Sequence, residues 1–244
     1  INKDRLDFMN KTYGVSVIPG NFEIFSNSDI IILAVKPQQM AQLLTEITEK
    51  TEYKIQDRKL IISIAAGIPI KKIEDILYKP LDDISRKKLP VIRVMPNTPA
   101  LVLAGISGMS LNKNTSPEDA DTAETILESM GKVINIKEEL LNAVTAVSGS
   151  GPAYVFYLIE AMIKGGIEAG LEPENAAEFS IATVDGAVKL MMAKNETPEE
   201  LRRKVTSPGG TTEAAVNVLD NNDVKQHIIE AVVAAANRGK ELSR

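Results

Sequence analysis

The sequence contains no cysteine and no tryptophan, and it has a single histidine among its 244 residues. Without cysteine the chain forms neither disulfide bonds nor a thiol nucleophile. With one histidine, a transition-metal site would have to rest on carboxylates, whereas zinc sites use mainly cysteine and histidine. The residue types therefore predict no metal site and no thiol chemistry.

An excess of positive charge is also missing, since the formal net charge is −5. Nucleic-acid and anionic-membrane surfaces need clustered Lys and Arg. No apolar run approaches the ~20 residues that span a bilayer, and the first residues lack the basic and apolar pattern of a signal peptide. We expect a cytoplasmic protein that acts on a small-molecule substrate, without nucleic-acid or membrane partners.

The third absence is the glycine-rich turn G-x-G-x-x-G, which follows the first strand of dinucleotide-binding folds. The nearest match, Gly149-Ser150-Gly151, lacks the third glycine and follows a helical run. The chain opens instead on a pattern that fits the helix after a second strand. We therefore expect about thirty residues, the length of a β-α-β unit, to precede residue 1 in the natural protein.

Residues 1–137 alternate between strand and helix patterns. Continuous apolar runs of strand length, typical of strands buried on both faces, occur at 29–35 and 60–66. Further strands are predicted at 15–18, 91–95, 106–111 and 132–136, and helices at 2–13, 38–50, 68–77 and 117–130. The alternation predicts an α/β fold, a Rossmann-like doubly wound sheet whose first β-α-β unit is missing from this chain.

Residues 138–244 show helical patterns only. The predicted helices are 138–147, 152–168, 173–194, 198–204, 212–219 and 223–242. The run Val232–Ala236 is apolar nearly all round, and in a small helical domain such a helix is often buried against another subunit. We therefore divide the chain into a truncated sheet domain, 1–137, and an all-helical dimerisation and substrate domain, 138–244.

A loop that enters a helix, Val205 to Ala215, contains the motif Ser207-Pro208-Gly209-Gly210-Thr211-Thr212. Pro208 restricts one backbone angle, and the two glycines adopt conformations that are closed to other residues. Backbone N–H groups at a helix N-terminus bind small anions. We expect the N–H groups of Gly209 and Gly210 to hold a substrate carboxylate.

Four segments resemble the pyrroline-5-carboxylate reductase family in their order and spacing. They are Leu33-Ala34-Val35-Lys36-Pro37, Val94-Met95-Pro96-Asn97-Thr98-Pro99, Ser148-Gly149-Ser150-Gly151-Pro152-Ala153-Tyr154 and Val205-Thr206-Ser207-Pro208-Gly209-Gly210-Thr211-Thr212-Glu213-Ala214. The resemblance covers essentially the whole chain. It implies reduction of 1-pyrroline-5-carboxylate to L-proline with NADPH or NADH, a homodimer formed by the C-terminal helices, and in many members a decamer.

The resemblance also implies roles for individual residues. Those expected to bind the cofactor are Asn21, Ala34, Val35, Lys36, Pro37, Ala66, Gly67, Met95, Pro96 and Asn97. Those expected to hold the substrate are Ser207, Gly209, Gly210, Thr211 and Thr212. Thr212 is similar to a threonine at the ring nitrogen and is the candidate catalytic residue. A threonine hydroxyl is a poor acid near neutral pH, so we expect it to orient the nitrogen by hydrogen bonding.

Two other functions remain open at this stage. Another two-domain reductase, of the 3-hydroxyacid or ketopantoate type, would place a catalytic lysine on the first long helix of the second domain, where Lys164 lies. The hypothesis of such a reductase assigns no function to the loop around Gly209. A catalytically inactive helical assembly protein would be consistent with the missing glycine turn.

Overall fold

The computed structural model describes residues 2–243 and contains one five-stranded sheet. Its strands, in spatial order, are β1 (Ile30–Leu33), β2 (Leu60–Ser63), β3 (Val91–Met95), β4 (Gly105–Leu111) and β5 (Gly131–Asn135). β1, β2 and β3 run parallel to one another, β3 and β4 are antiparallel, and β4 and β5 are parallel. The carboxyl ends of β1, β2 and β3 therefore meet at one edge of the sheet.

Helices cover both faces of this sheet. The helices of this region are α1 (Lys3–Tyr13), α2 (Asn21–Asn27), α3 (Pro37–Thr48), α4 (Ile70–Leu77), α5 (Asp83–Lys87) and α6 (Pro117–Glu128). Ile61 of β2 packs in one apolar cluster with residues of α3 and α4, whereas its neighbour Ile62 packs in another with Leu127 of α6. Successive strand residues point to opposite faces, so the predicted doubly wound arrangement is confirmed.

The spacing of apolar residues in the sequence explains which face of the helices α3 and α4 is buried. Their buried residues recur at intervals of three and four, which places them on one face of each helix. These residues are Met40, Leu44 and Ile47 in α3 and Ile70, Ile73 and Leu77 in α4. Pro37 begins α3 at a position where the missing N–H costs no hydrogen bond.

One prediction near the N-terminus was wrong, and one short helix was missed. Residues 15–18 form no strand, because no neighbouring strand in the described chain pairs with them, and Val15 is 43% exposed. Pro19-Gly20 leads directly into α2, whose Phe25 is buried. The turn signal of Pro19-Gly20 concealed this short helix.

The helix predicted over residues 138–147 is broken into three pieces. A 3-10 turn, Glu138–Leu140, leads into α7 (Leu141–Val144) and then into a π-helical turn, Thr145–Gly149. Such π-turns are rare and occur frequently at functional sites.

The remaining chain is helical, as predicted. Its helices are α8 (Gly151–Glu168), α9 (Pro173–Lys194), α10 (Pro198–Lys204), α11 (Thr211–Asn221) and α12 (Val224–Leu242). The chain separates into two compact units: a sheet unit up to Gly149, joined by the end of α12 from Asn237, and a helical unit, Ser150–Ala236. Within residues 2–243, no helix is long and apolar enough to cross a membrane.

Candidate functional site

The strand-end site lies in the sheet unit at the carboxyl ends of β1 and β2. After β1, Ala34 and Val35 lead to Lys36, whose side chain makes no capping hydrogen bond to the start of α3. Ile64 N donates to Leu33 O at 3.1 Å, which keeps the segments that follow β1 and β2 side by side. Ligands of open α/β sheets bind at this edge. The segments that contain Ala34 to Pro37 and Ala65 to Gly67 thus start side by side at this edge.

A polar cavity of about 520 Å³ lies beside the start of α3. It is lined by Asn2, Asn21, Val35, Gln39, Gln42, Leu43 and Glu46. Asn21 Nδ2 donates to Glu46 Oε2 at 3.1 Å, so the amide already has one partner inside the cavity. Two residues that were expected to bind the cofactor, Asn21 and Val35, therefore share one cavity.

The segments after β2 and β3 are held in defined conformations. Gly67 has φ +73°, a left-handed conformation that favours glycine, and a Cβ there would lie 3.3 Å from Leu242 Cβ. After β3, Asn97 Oδ1 accepts a hydrogen bond from Ile106 N at 3.0 Å, so this side chain is used to join β3 and β4. Met95 lies against the π-turn, since a Cβ on Gly149 would come 2.7 Å from Met95 Cε.

Two buried hydroxyl groups near this edge lack hydrogen-bond partners within residues 2–243. Ser63 ends β2, and Ser148 lies in the π-turn beside Gly149. An unpaired buried polar atom costs about 1–3 kcal/mol unless an ordered water or another group bonds to it. Ser63 is 0% exposed, so its hydroxyl is enclosed within the sheet core.

An ion pair fixes the junction between the sheet and residues 138–149. Arg93 lies on β3 and is only 5% exposed, and its Nη1 donates to Glu138 Oε1 at 3.1 Å. The same oxygen accepts a hydrogen bond from Ile70 N, at 2.7 Å, at the start of α4. The carboxylate thus joins a strand, a helix N-terminus and the 3-10 turn. Sequence reasoning missed this pair because its residues are far apart in the chain.

The second site is the loop of the helical unit that precedes α11. Gly210 N donates to Ser207 O at 3.0 Å across Pro208 and Gly209, and Gly209 has φ +72°. Proline at the second and glycine at the third position of a turn are typical of type II. α11 then begins at Thr211, one residue earlier than predicted, with Gly210 as its N-cap.

The N–H groups of this loop divide into occupied and free ones. Gly209 N donates to Glu213 Oε2 at 2.8 Å, and Gly210 N donates to Ser207 O, so both have partners inside the loop. For the N–H groups of Thr211 and Thr212 the described chain offers no partner, and no side chain caps α11. The free donors thus lie two residues further along than the sequence indicated, and Glu213 is a residue that sequence reasoning missed.

The surroundings of the loop are polar and exposed. Thr212 is half-buried, whereas Ser207 and Thr211 are exposed. Three cations, Arg202, Arg203 and Lys204, end α10 just before the loop. Among residues 2–243, no three His, Cys, Asp or Glu side chains lie close enough to hold a metal ion. Arg202 already pairs with Asp220 at 3.7 Å and Lys204 with Glu196, so the free N–H groups of the loop are the feature that suits a small carboxylate.

A doubly wound sheet whose parallel strand ends share one edge, followed by an all-helical region, is the architecture of nicotinamide-dependent reductases with a helical second domain. The family described as pyrroline-5-carboxylate reductase dimerisation matches residues 138–242. A family described as NADP oxidoreductase, coenzyme F420-dependent, matches residues 2–67.

Individual relatives give the same result. A pyrroline-5-carboxylate reductase of Synechocystis sp. is 41% identical over 98% of this chain and 85% of its own length. A solved structure of such a reductase from Coxiella burnetii has a TM-score of 0.84 and 36% identity, and covers 100% of this chain and 86% of that one. The chain belongs to the pyrroline-5-carboxylate reductase family, which confirms the resemblance stated from its four motifs.

A third relative bears on the cofactor. The pyrroline carboxylate reductase of Plasmodium falciparum was solved with NADP bound. It has a TM-score of 0.82 and 32% identity to this chain, and the match covers 93% of this chain and 82% of that one. These comparisons do not favour the alternatives of another two-domain reductase or an inactive assembly protein.

Proposed function

We infer that this protein reduces 1-pyrroline-5-carboxylate to L-proline by hydride transfer from NAD(P)H, the last step of proline biosynthesis. The observation that carries this inference is the Ser207–Thr212 turn, which presents free N–H groups at the start of α11 in a member of this family. The substrate is a small ring with one carboxylate, and a helix N-terminus with unpaired donors recognises such a group.

The chemistry requires a hydride at the carbon of the C=N bond and a proton at the nitrogen. The dinucleotide supplies the hydride. Ser207, Thr211 and Thr212 hold the substrate carboxylate through their N–H and hydroxyl groups, while Gly209 and Gly210 give the turn the shape that aims these donors. The Thr212 hydroxyl hydrogen-bonds to the ring nitrogen and orients it. Fixed orientation of two reactants lowers the entropic part of the barrier.

The strand ends hold the cofactor in this proposal. The residues that take part are Asn21, Ala34, Val35, Lys36, Pro37, Ala66, Gly67, Met95, Pro96 and Asn97. Support comes from the cavity that Asn21 and Val35 share and from the uncapped start of α3 beside Lys36. A helix N-terminus without a side-chain cap favours the negative charge of a phosphate.

The proposal also covers the roles of the two domains, the oligomeric state and the cellular location. Residues 1–137 act as the cofactor domain and residues 138–244 as the dimerisation and substrate domain. The helical unit pairs with a second copy to give a homodimer, supported by exposed apolar side chains such as Phe156 and Tyr157 and by the dimerisation family that matches residues 138–242. A decamer of such dimers and a cytoplasmic location complete the proposal, and mass measurement and cell fractionation test them.

Thr212→Ala tests the assigned role of the hydroxyl. We expect kcat to fall about 10- to 100-fold, because the nitrogen loses its orienting hydrogen bond. Thr206→Ala is the matched control, since the Thr206 hydroxyl donates to Arg202 O at 2.7 Å and faces its own helix. Steady-state kinetics with NADPH and the imine measure the effect. Equal turnover in both variants would remove Thr212 from the mechanism, and Thr212→Ser should restore most of the activity.

A further inference from the structure

Two glutamates occupy the third position of neighbouring helices but use their carboxylates differently. Glu200 of α10 accepts hydrogen bonds from Thr197 N at 2.9 Å and Thr197 Oγ1 at 2.8 Å, which completes a capping box on its own N-cap residue. Glu213 of α11 instead passes its N-cap, Gly210, and accepts from Gly209 N at 2.8 Å. Glu213 therefore binds the turn itself rather than the end of the helix.

The turn needs such a contact because few other interactions fix it. Across its four residues it has one backbone hydrogen bond, from Gly210 N to Ser207 O. Ser207, Pro208 and Gly209 are exposed, and no atom lies within 4 Å of the place where a Cβ of Gly209 would stand. Glycine has the largest backbone freedom to lose on ordering. A second hydrogen bond at Gly209 therefore selects the left-handed conformation of this residue from several that are open to it.

The turn conformation decides where the free donors point. The N–H groups of Thr211 and Thr212 follow directly on Gly209 and Gly210, so rotation at either glycine would change their direction relative to Ser207. Binding sites that are ordered before the ligand arrives avoid the entropic cost of ordering at the moment of binding. Holding Gly209 in place thus favours carboxylate binding without any contact between Glu213 and the substrate.

We propose that Glu213 is a positioning residue for substrate binding, which acts by hydrogen-bonding Gly209 N–H and so pre-organises the turn that receives the substrate carboxylate. This inference rests on the proposed function of the loop. The hydrogen bond to Gly209 N–H requires an acceptor oxygen on the side chain of residue 213, and it does not require the negative charge of Glu213. Glutamine offers the same oxygen at the same distance along the side chain, whereas alanine offers none.

The test compares Glu213→Ala, Glu213→Gln and Glu200→Ala with the wild-type enzyme. Glu200→Ala is a matched control because it also removes a glutamate-to-backbone hydrogen bond at a helix start of the same unit. We expect the KM for the imine to rise about five- to tenfold in Glu213→Ala, with kcat changed less than about twofold, since one hydrogen bond is lost before chemistry begins. Glu213→Gln and Glu200→Ala should stay within about twofold of the wild-type KM.

A second measurement, independent of activity, follows amide hydrogen exchange of the segment 205–212. Glu213→Ala should increase exchange in this segment severalfold, and Glu200→Ala should leave it unchanged. An unchanged KM and unchanged exchange in Glu213→Ala would overturn the proposal, as would equal effects of Glu213→Ala and Glu200→Ala. If wild type fails to reduce the imine while exchange still responds only to Glu213→Ala, the substrate assignment fails and the positioning of the turn stands.

Discussion

The sheet region and the helical region differ in how much of their apolar surface the chain itself covers. In the sheet region Ile61, Ile92 and Leu77 have no accessible surface at all. In the helical unit, Ser150–Ala236, the described residues that are buried are only Ala176 and Ser180. Large side chains there remain open, with Phe156 66% and Tyr157 76% exposed.

This contrast arises from architecture rather than from composition. The central strands β2 and β3 lie between two layers of helices, so their side chains are covered from both faces. α8 and α9 pack against each other where Gly166 meets Ala176, and their other faces carry apolar side chains without cover from the described chain. Contiguous apolar surface on a folded protein marks an interaction site. The sheet region thus supplies its own core, whereas the helical unit leaves apolar faces that the described chain does not cover, in a segment that matches a dimerisation family.

Removal of a core side chain from the sheet should give the largest effect on stability. We expect Ile61→Ala to lower the free energy of unfolding by about 4 kcal/mol, because it leaves a cavity between two packed layers. Ile84→Ala, at a site 71% exposed on α5, is the control and should change it by less than about 0.5 kcal/mol. Urea unfolding of both variants measures the difference. Similar losses in the two variants would contradict the description of the sheet core.

A substitution on the open face of α8 should affect association instead. We expect Phe156→Ala to weaken the dimer by about 3 kcal/mol, close to a 100-fold rise in the dissociation constant, because aromatic side chains dominate such interfaces. The sheet region should remain folded. Sedimentation at several concentrations measures the change, with Lys164→Ala on the same helix as an exposed control. An unchanged dissociation constant in Phe156→Ala would contradict the claim that the exposed apolar face of α8 is buried on association.

Removal of a buried charge from the sheet region should have a smaller effect on the free energy of unfolding, and this effect should depend on pH. Arg58 donates to both carboxylate oxygens of Asp119 at the start of α6, with Nε to Oδ1 at 2.9 Å. Burial alone would raise the pKa of the Asp119 carboxyl, but hydrogen bonds from Arg58 and Ser116 outweigh it and hold the pKa below its usual value. A lowered pKa in the folded state stabilises the protein above the pKa of the unfolded chain, and this stabilisation is lost as the pH falls through the folded value.

We therefore expect Asp119→Asn to lose about 2 kcal/mol of unfolding free energy at pH 7, since hydrogen bonds to a charged group contribute that much. The difference from wild type should shrink as the pH falls below about 4, because the carboxyl of the unfolded chain takes up its proton there, whereas the folded carboxyl with its lowered pKa does so only at lower pH. Unfolding by urea between pH 7 and pH 3 measures it, with the exposed Asp121→Asn as control. A difference that is constant with pH would exclude a role for the charge.

The sequence allowed most of the fold to be predicted, because continuous apolar runs and helix caps are local signals. The strands from Ile30 onward and the helices from Gly151 onward lie within a few residues of their predicted bounds. The antiparallel pairing of β3 with β4 could not be read in advance, since pairing depends on contacts between distant segments. The same holds for the π-turn at Thr145–Gly149, whose residues form an ordinary helical pattern.

The candidate site could be located from the sequence but not described in detail. Four motifs marked the strand ends and the loop, and the comparisons confirmed the family they indicated. Which N–H groups of the loop are free depends on the side chain of Glu213, which the motif alone did not reveal. The Arg93–Glu138 pair was equally hidden, because it forms only when the chain has folded.

The most direct test of the proposed function is the reaction itself, measured as NADPH oxidation and proline formation from 1-pyrroline-5-carboxylate. The account predicts one molecule of L-proline for each NADPH oxidised, and no oxidation without the imine. A folded protein that leaves the imine unchanged, or that reduces a keto acid in its place, would contradict it.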